Sequence, residues 1–200
     1  MDTHEALVKA AFELFLNTDY HKVTTRKIAE RAGTSTSMIQ YYFGGKQELY
    51  EEMVRRQFMR IGEVLDASFS DEKGIDFSML MQGYLKIHQE HPDFPAFITS
   101  ILAYKNGPGY MLFARILDDK RDAIAAMIQH GIDSGTFRQD LEVDVLRIAM
   151  MSLTVFPFLI KGVLEHSLKT AMNDQLLSQV ATAAGEMLAA YVRSPVQSAS

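Results

Sequence analysis

Thr36, Ser37, Gln40 and Tyr41 have the types and the spacing to read the edges of base pairs. Within Thr24 to Phe43, TTRKIAERAGTSTSMIQYYF, they recur at i, i+1, i+4 and i+5. At about 100° per residue they share one side of a helix. Ile39 and Phe43 fall on the opposite side, with Met38 and Tyr42 on its flanks. One side can therefore be buried while the other offers hydroxyls, an amide and a phenol. An amide such as Gln40 can pair bidentately with adenine, and threonine can contact either a base edge or a thymine methyl. Tyr41 and Tyr42 can hydrogen-bond a phosphate or pack against sugar.

Such a face needs a support, and the residues before it supply one. Thr24 or Thr25 can cap a preceding helix that buries Ile28, Ala29 and Ala32. Gly33 provides the positive φ of a tight turn, and Thr34 or Ser35 caps the second helix. Gly44-Gly45 ends that helix, and Lys46 opens the next. Free backbone N–H groups and hydroxyls at Thr24 and Thr25 make a phosphate site. Lys46 lies close enough in sequence to clamp the same phosphate backbone, and Arg26 can reach a guanine or a phosphate. The candidate DNA-contacting set is Thr24, Thr25, Arg26, Thr36, Ser37, Met38, Gln40, Tyr41, Tyr42 and Lys46. An ordinary helical pair with a solvated face would share the bare pattern. The paired threonines, the Ala-Gly turn, the aromatic run and the lysine at fixed offsets favour the DNA reading.

Charge agrees with a single small nucleic-acid face. The 200-residue chain has a net charge of −5, unlike a general polyanion binder. Between Tyr20 and Lys46 the balance reverses, with Lys22, Arg26, Lys27, Arg31 and Lys46 against Glu30 alone. This basic patch on an acidic body suits DNA binding through one surface. With no cysteine there is no disulfide framework and no thiolate site, which fits a reducing cytoplasm. The first residues lack the basic start and apolar run of a signal peptide. The longest apolar-rich run, Val145 to Ile160, is shorter than the roughly 20 residues of a membrane span. A cytoplasmic protein with no membrane association is expected.

Helical periodicity runs through nearly the whole chain, so the expected fold class is all-α: a three-helix DNA-binding domain followed by a larger helical domain. Ala6, Leu7, Ala10, Ala11, Leu14 and Phe15 form the stripe of a first helix over Thr3 to Asn17. After the helix–turn–helix, a long helix is expected from Lys46 to Ser68, then a polar connection from Ser70 to Gly74. Further helices are expected over Ile75 to Glu90, Pro95 to Tyr104 and Tyr110 to Gly131, with a break at Asn106-Gly107-Pro108-Gly109. Ser134 to Asp144 reads as loop. Two closing helices are expected at Val145 to Leu168 and Asn173 to Val192, ahead of a disordered tail from 194 to 200.

Residues His4 to Val54 resemble the DNA-binding domain of the tetracycline-repressor (TetR) family of bacterial regulators. Ala11, Phe15, Thr24, Thr25, Ile28, Ala29, Ala32, Gly33, Phe43, Lys46 and Leu49 carry the resemblance. Gly131 to Asp140, GIDSGTFRQD, resembles a segment found before the last two helices of such proteins. Two positions depart from the family pattern. Asp19 stands where glycine is usual, and Gln40 where tyrosine is most common.

The resemblance implies a DNA-binding domain over 1–46 and a ligand-binding and dimerisation domain over 47–193. It implies a homodimer through the last two helices, reading a near-palindromic double-stranded DNA operator. Twofold symmetry would set two reading helices about 34–36 Å apart. It also implies a small-molecule inducer that releases a repressor. Candidate pocket residues are Met81, Tyr84 and His88, then Phe97, Ile101 and Tyr104, then Tyr110 and Phe113, and finally Met151 and Phe156. Twelve methionines and twelve phenylalanines favour a soft cavity for an apolar or aromatic inducer. For any single one of these side chains, plain core packing is the better explanation.

Other signals point nowhere specific. His88 and His91 flank Glu90 without the spacing of a metalloprotease helix, and a capping or surface role near Pro92 is expected. Glu165 and His166 are neighbours on a helix and face different ways. No cofactor, no metal and no enzymatic activity is expected. The alternative to a regulator is a helical dimer of this type that acts through protein interaction, with its DNA face vestigial.

Overall fold

The computed structural model describes residues 2–70, 74–105 and 107–193. Ten α-helices make up these residues: α1 (Thr3–Leu16), α2 (Thr25–Ala32), α3 (Thr36–Phe43), α4 (Lys46–Ala67), α5 (Phe77–Glu90), α6 (Phe94–Ala103), α7 (Pro108–Asp133), α8 (Val143–Leu159), α9 (Lys161–Leu168) and α10 (Asp174–Val192). The fold is all-α, as its periodicity predicts. A 3-10 turn at Tyr20–Lys22 links α1 to α2. The expected polar connection holds two short antiparallel strands, β1 (Phe69–Ser70) and β2 (Gly74–Ile75), in register Phe69↔Ile75 and Ser70↔Gly74. The expected tail over 194–200 lies outside the described residues, as does Asn106 of the predicted break.

Most helix ends fall within two residues of their expected positions, because side-chain caps mark them. Thr24 accepts from the Lys27 N–H, Asp76 from that of Met79, and Asn173 from that of Leu176. The exception is the helix expected over Val145 to Leu168. It is two helices, α8 and α9, bent by 69° at Ile160. Pro157 lies inside α8 and has no N–H to continue the ladder, and the helix ends at Leu159, two residues later. Among the described residues no single helix is long and apolar enough to cross a membrane.

The chain forms two compact units. The first takes the residues up to Arg60 together with Asp93–Asp118; the second takes Ile61–Pro92 and the chain from Asp119. The helix–turn–helix therefore shares a unit with α6 and the front of α7. Its core holds Leu7, Ala11, Phe15, Ile28, Ile39, Leu49, Met53 and Leu112, all buried. Phe58 joins them through ring contacts with Phe94, Phe97 and Phe113 at 5.9, 6.1 and 4.6 Å. The second unit is centred on α5 packed against α10 and α8. Gly185 lets α10 approach α5 closely: a Cβ there would come 3.1 Å from the Phe77 carbonyl oxygen. The segment 131–140 closes against this core, with Phe137 buried and its N–H bonded to the Gly131 carbonyl.

Candidate nucleic-acid interface

The reading surface begins with the turn that sets α3 against α2. Gly33 adopts φ 69°, ψ 33°, and its N–H reaches the carbonyls of Ala29 and Glu30. This left-handed closure costs a β-carbon-bearing residue more than it costs glycine. Thr34 N–H adds a bond to Ala29 O at 2.9 Å. Beneath the turn, Ile28 and Ile39 are buried to 0% and 1% exposure. They pin the two helices from inside, which fixes what α3 presents outside.

Outside, Thr36, Ser37, Gln40 and Tyr41 are all exposed, Tyr41 by 77%. Tyr42 is just exposed, and Met38 is half-buried beside them. Ser35 is the N-cap residue of α3, but its hydroxyl pairs with Ser37 Oγ at 2.7 Å instead of a helix N–H. The first N–H groups of α3 therefore keep no side-chain cap. The tyrosines are braced from the side. Tyr41 lies edge-on to Tyr42 at 5.0 Å, Tyr42 edge-on to His4 at 5.6 Å, and His4 stacks on Phe43 at 4.6 Å. His4 also belongs to a charged cluster in which Arg56 bonds Glu5 and Glu52, each at 2.7 Å. Nothing in the sequence marked His4, because its partners are about 40 to 50 residues away.

At the start of α2, Thr24 Oγ1 holds the Lys27 N–H at 3.3 Å, leaving other first-turn N–H groups open. Thr25 is half-buried next to it, and the Arg26 side chain is 84% exposed, held by Glu30 at 2.8 Å. Arg31 ties α2 to α1 through Glu13 at 2.7 Å. Lys22, Lys27 and His21 add exposed basic groups on the same stretch. Asp19, which stands where glycine is usual in the resembled family, has φ −51° and caps the 3-10 turn through the His21 N–H at 2.7 Å.

Lys46 is tied to the segment before α2. Its ammonium donates to the carbonyls of Tyr20 and Val23, both at 3.0 Å, and lies over the Tyr20 ring. Burial lowers its pKa, with the charge of Asp19 opposing. Tyr20 is the second residue that sequence reasoning missed.

The candidate pocket residues divide between the units. In the first, Ile101, Tyr104 and Tyr110 line a small cleft of about 20 Å³ with Phe15, Tyr20 and Tyr50, far below the few hundred Å³ of a ligand pocket. Burial pushes the Tyr50 phenol up to about 12. Phe97 is plain core, and Phe113 stacks on Phe58. In the second unit, Met81 and His88 are buried and Tyr84 is half-buried, its phenol pKa raised by burial. His88 is 6% exposed and stacks on Phe158 with 3.6 Å between ring centres. It is therefore neither a surface nor a capping group: α5 turns it inward. Burial lowers its pKa to about 4, so it is neutral near pH 7. Met151 and Phe156 correct the expectation more sharply. Both lie on the outward side of α8, the second 56% exposed, because Leu146, Met150 and Thr154 take the inward side. Among the described residues no group of His, Asp and Glu is placed to hold a metal ion.

Residues 7–53 match the family model for bacterial regulatory proteins of the tetR family. Over this domain the chain is similar to regulators of the TetR family. The HTH-type transcriptional repressor KstR2 of Mycolicibacterium smegmatis is 23% identical over 146 residues, which cover 71% of each protein. Among solved structures, the FadR regulator of Bacillus subtilis in complex with stearoyl-CoA superposes with a TM-score of 0.68 at 17% identity, covering 94% of this chain and 99% of that one. The ketosteroid regulator KstR2 of Mycobacterium tuberculosis gives 0.63 at 16% identity, covering 97% and 96%. These similarities extend the shared fold beyond that domain to most of the chain, and the KstR2 relative is a transcriptional repressor.

Proposed function

We propose that this TetR-family regulator is a ligand-responsive repressor, released from a near-palindromic operator by a small apolar inducer. The observation that carries DNA reading is the exposed row Thr36, Ser37, Gln40 and Tyr41 above the buried Ile39. Thr36, Ser37, Gln40 and half-buried Met38 would meet base edges. Thr24, Thr25, Arg26, Tyr41 and Tyr42 would meet the sugar–phosphate backbone.

A homodimer through α8 and α10 completes the reading. Val145, Ile148, Met151 and Phe156 are exposed along α8, and Met187 is exposed on α10. Such an apolar strip on a monomer calls for a protein partner, and a second copy would make the operator twofold. For the inducer, the half-buried Tyr84 and buried His88 in an otherwise apolar core favour a largely apolar molecule with a polar group. Because the FadR relative is known with stearoyl-CoA, long-chain acyl-CoA is the first compound to try. By linkage, an inducer that weakens operator binding must itself bind more weakly to the operator complex by the same factor.

Selection of bound fragments from random duplex DNA, at two salt concentrations, tests this. The expected result is a near-palindrome whose affinity falls with salt. Recovery of no preferred duplex by a folded dimer would replace DNA reading with protein interaction.

A further inference from the structure

Lys46, the first residue of α4, spends its ammonium inside the domain. Nζ donates to the Tyr20 and Val23 carbonyls at 3.0 Å each and sits 4.1 Å from the centre of the Tyr20 ring. An ammonium has three donors; two are bonded to carbonyls, and the ring covers part of the charge. The two carbonyls lie at either end of the short segment that runs from the 3-10 turn to α2. Val23 itself is buried, and the next residue, Thr24, is the N-cap of α2.

We propose that Lys46 is a positioning residue for phosphate recognition: it latches the segment before α2, so that the N-terminus of α2 is set in place, and does not itself clamp the phosphate. This rests on the DNA-binding reading above. To reach a phosphate, the ammonium would have to leave two charge-assisted bonds and an aromatic face, stranding two part-buried carbonyls. The latch is also backed by packing. The Tyr20 ring lies 5.7 Å from Phe15 and 5.0 Å from Tyr50, and Tyr50 lies 4.7 Å from Phe15. A preorganised cradle binds a phosphate without first having to order the chain. Burial lowers the Lys46 pKa, and the charge of Asp19 opposes that shift.

Two measurements on the full chain test the latch. In the DNA-free protein, Lys46→Met should speed amide exchange at His21, Lys22, Lys27 and Ile28 by about tenfold, while amides in the middle of α4 keep their rates. Unchanged exchange at those four amides would overturn the latch, and this result needs no DNA. With the selected operator, Lys46→Met should weaken binding about tenfold while leaving the slope of log K against log salt as in the wild type. Lys46→Arg should not restore affinity, because a planar guanidinium does not match two carbonyls under a ring. A slope lowered by about 0.9, the loss of one duplex phosphate contact, with full rescue by Lys46→Arg, would make Lys46 a direct clamp and sink the proposal. Should Lys46→Met fail to fold, the wild-type Lys46 ammonium resonance decides. The latch requires it to be protected in the free protein and unshifted by operator; a shift like that of exposed lysines overturns it. A wild type that binds no duplex would defeat the DNA reading, and the exchange measurement would still judge the latch.

Discussion

The helices α3 and α8 both bury apolar side chains but differ in what they expose. On α3 the buried side is apolar, led by Ile39, and the exposed side carries Thr36, Ser37, Gln40 and Tyr41. On α8 the exposed side carries Val145, Ile148, Met151 and Phe156, while Thr154 is buried with its hydroxyl donating to the Met150 carbonyl. Water alone would favour polar side chains outside in both cases. The exposed sides suit the two proposed partners: hydrogen-bonding groups suit base edges on α3, and apolar groups suit another protein surface on α8.

Four variants break or sharpen that contrast. The largest effect is expected from Ile148→Asp combined with Phe156→Asp, which places two carboxylates in the apolar strip of α8. Association should weaken by ~4 kcal/mol or more, seen as monomers in sedimentation with helicity retained. An unchanged oligomeric state would show that this strip serves something other than a second copy. Next comes Ile39→Ala on the hidden side of α3, with an expected loss of about 3 kcal/mol in chemical unfolding. Operator binding should fall with it, since the exposed row stands on that side chain.

The third concerns His88, whose folded pKa of about 4 lies below the ordinary value of 6.5. Above 6.5 both folded and unfolded forms are neutral there. As pH falls towards 4 the unfolded chain takes up the proton first, so stability is lost across this window, by up to about 3 kcal/mol. Unfolding free energies of the wild type and His88→Leu, measured at pH 7 and pH 4.5, should converge or cross as the variant escapes the loss. Parallel pH curves would mean that His88 is not the group responsible. The smallest effect is expected from Gln40→Ala: about 1–2 kcal/mol less discrimination at one base pair, with little change in non-specific affinity. Equal weakening on all sequences would move Gln40 from the bases to the phosphates.

Much of this was legible in the chain because the signals are local. The caps at Thr24 and Asn173, the turn at Gly33 and the stripe on α1 each depend on neighbours within a few residues, where periodicity and backbone sterics act directly. The same local reading joined α8 to α9, since Pro157 sits in an apolar run whose composition alone does not show a bend of 69°. It also placed Met151 and Phe156 in a pocket, because an apolar residue carries no label saying which side of its helix the core will take.

The sequence by itself determined the helical class, the helix–turn–helix and the row of polar side chains on α3, because helix period and turn chemistry are properties of short segments. Only the tertiary structure decided that His88 faces inward onto Phe158, that α8 shows its apolar side outward, and that Lys46 bonds the carbonyls of Tyr20 and Val23. Each of those outcomes depends on groups more than twenty residues apart, or on which of two faces finds a core. Such choices are settled by packing the whole chain at once.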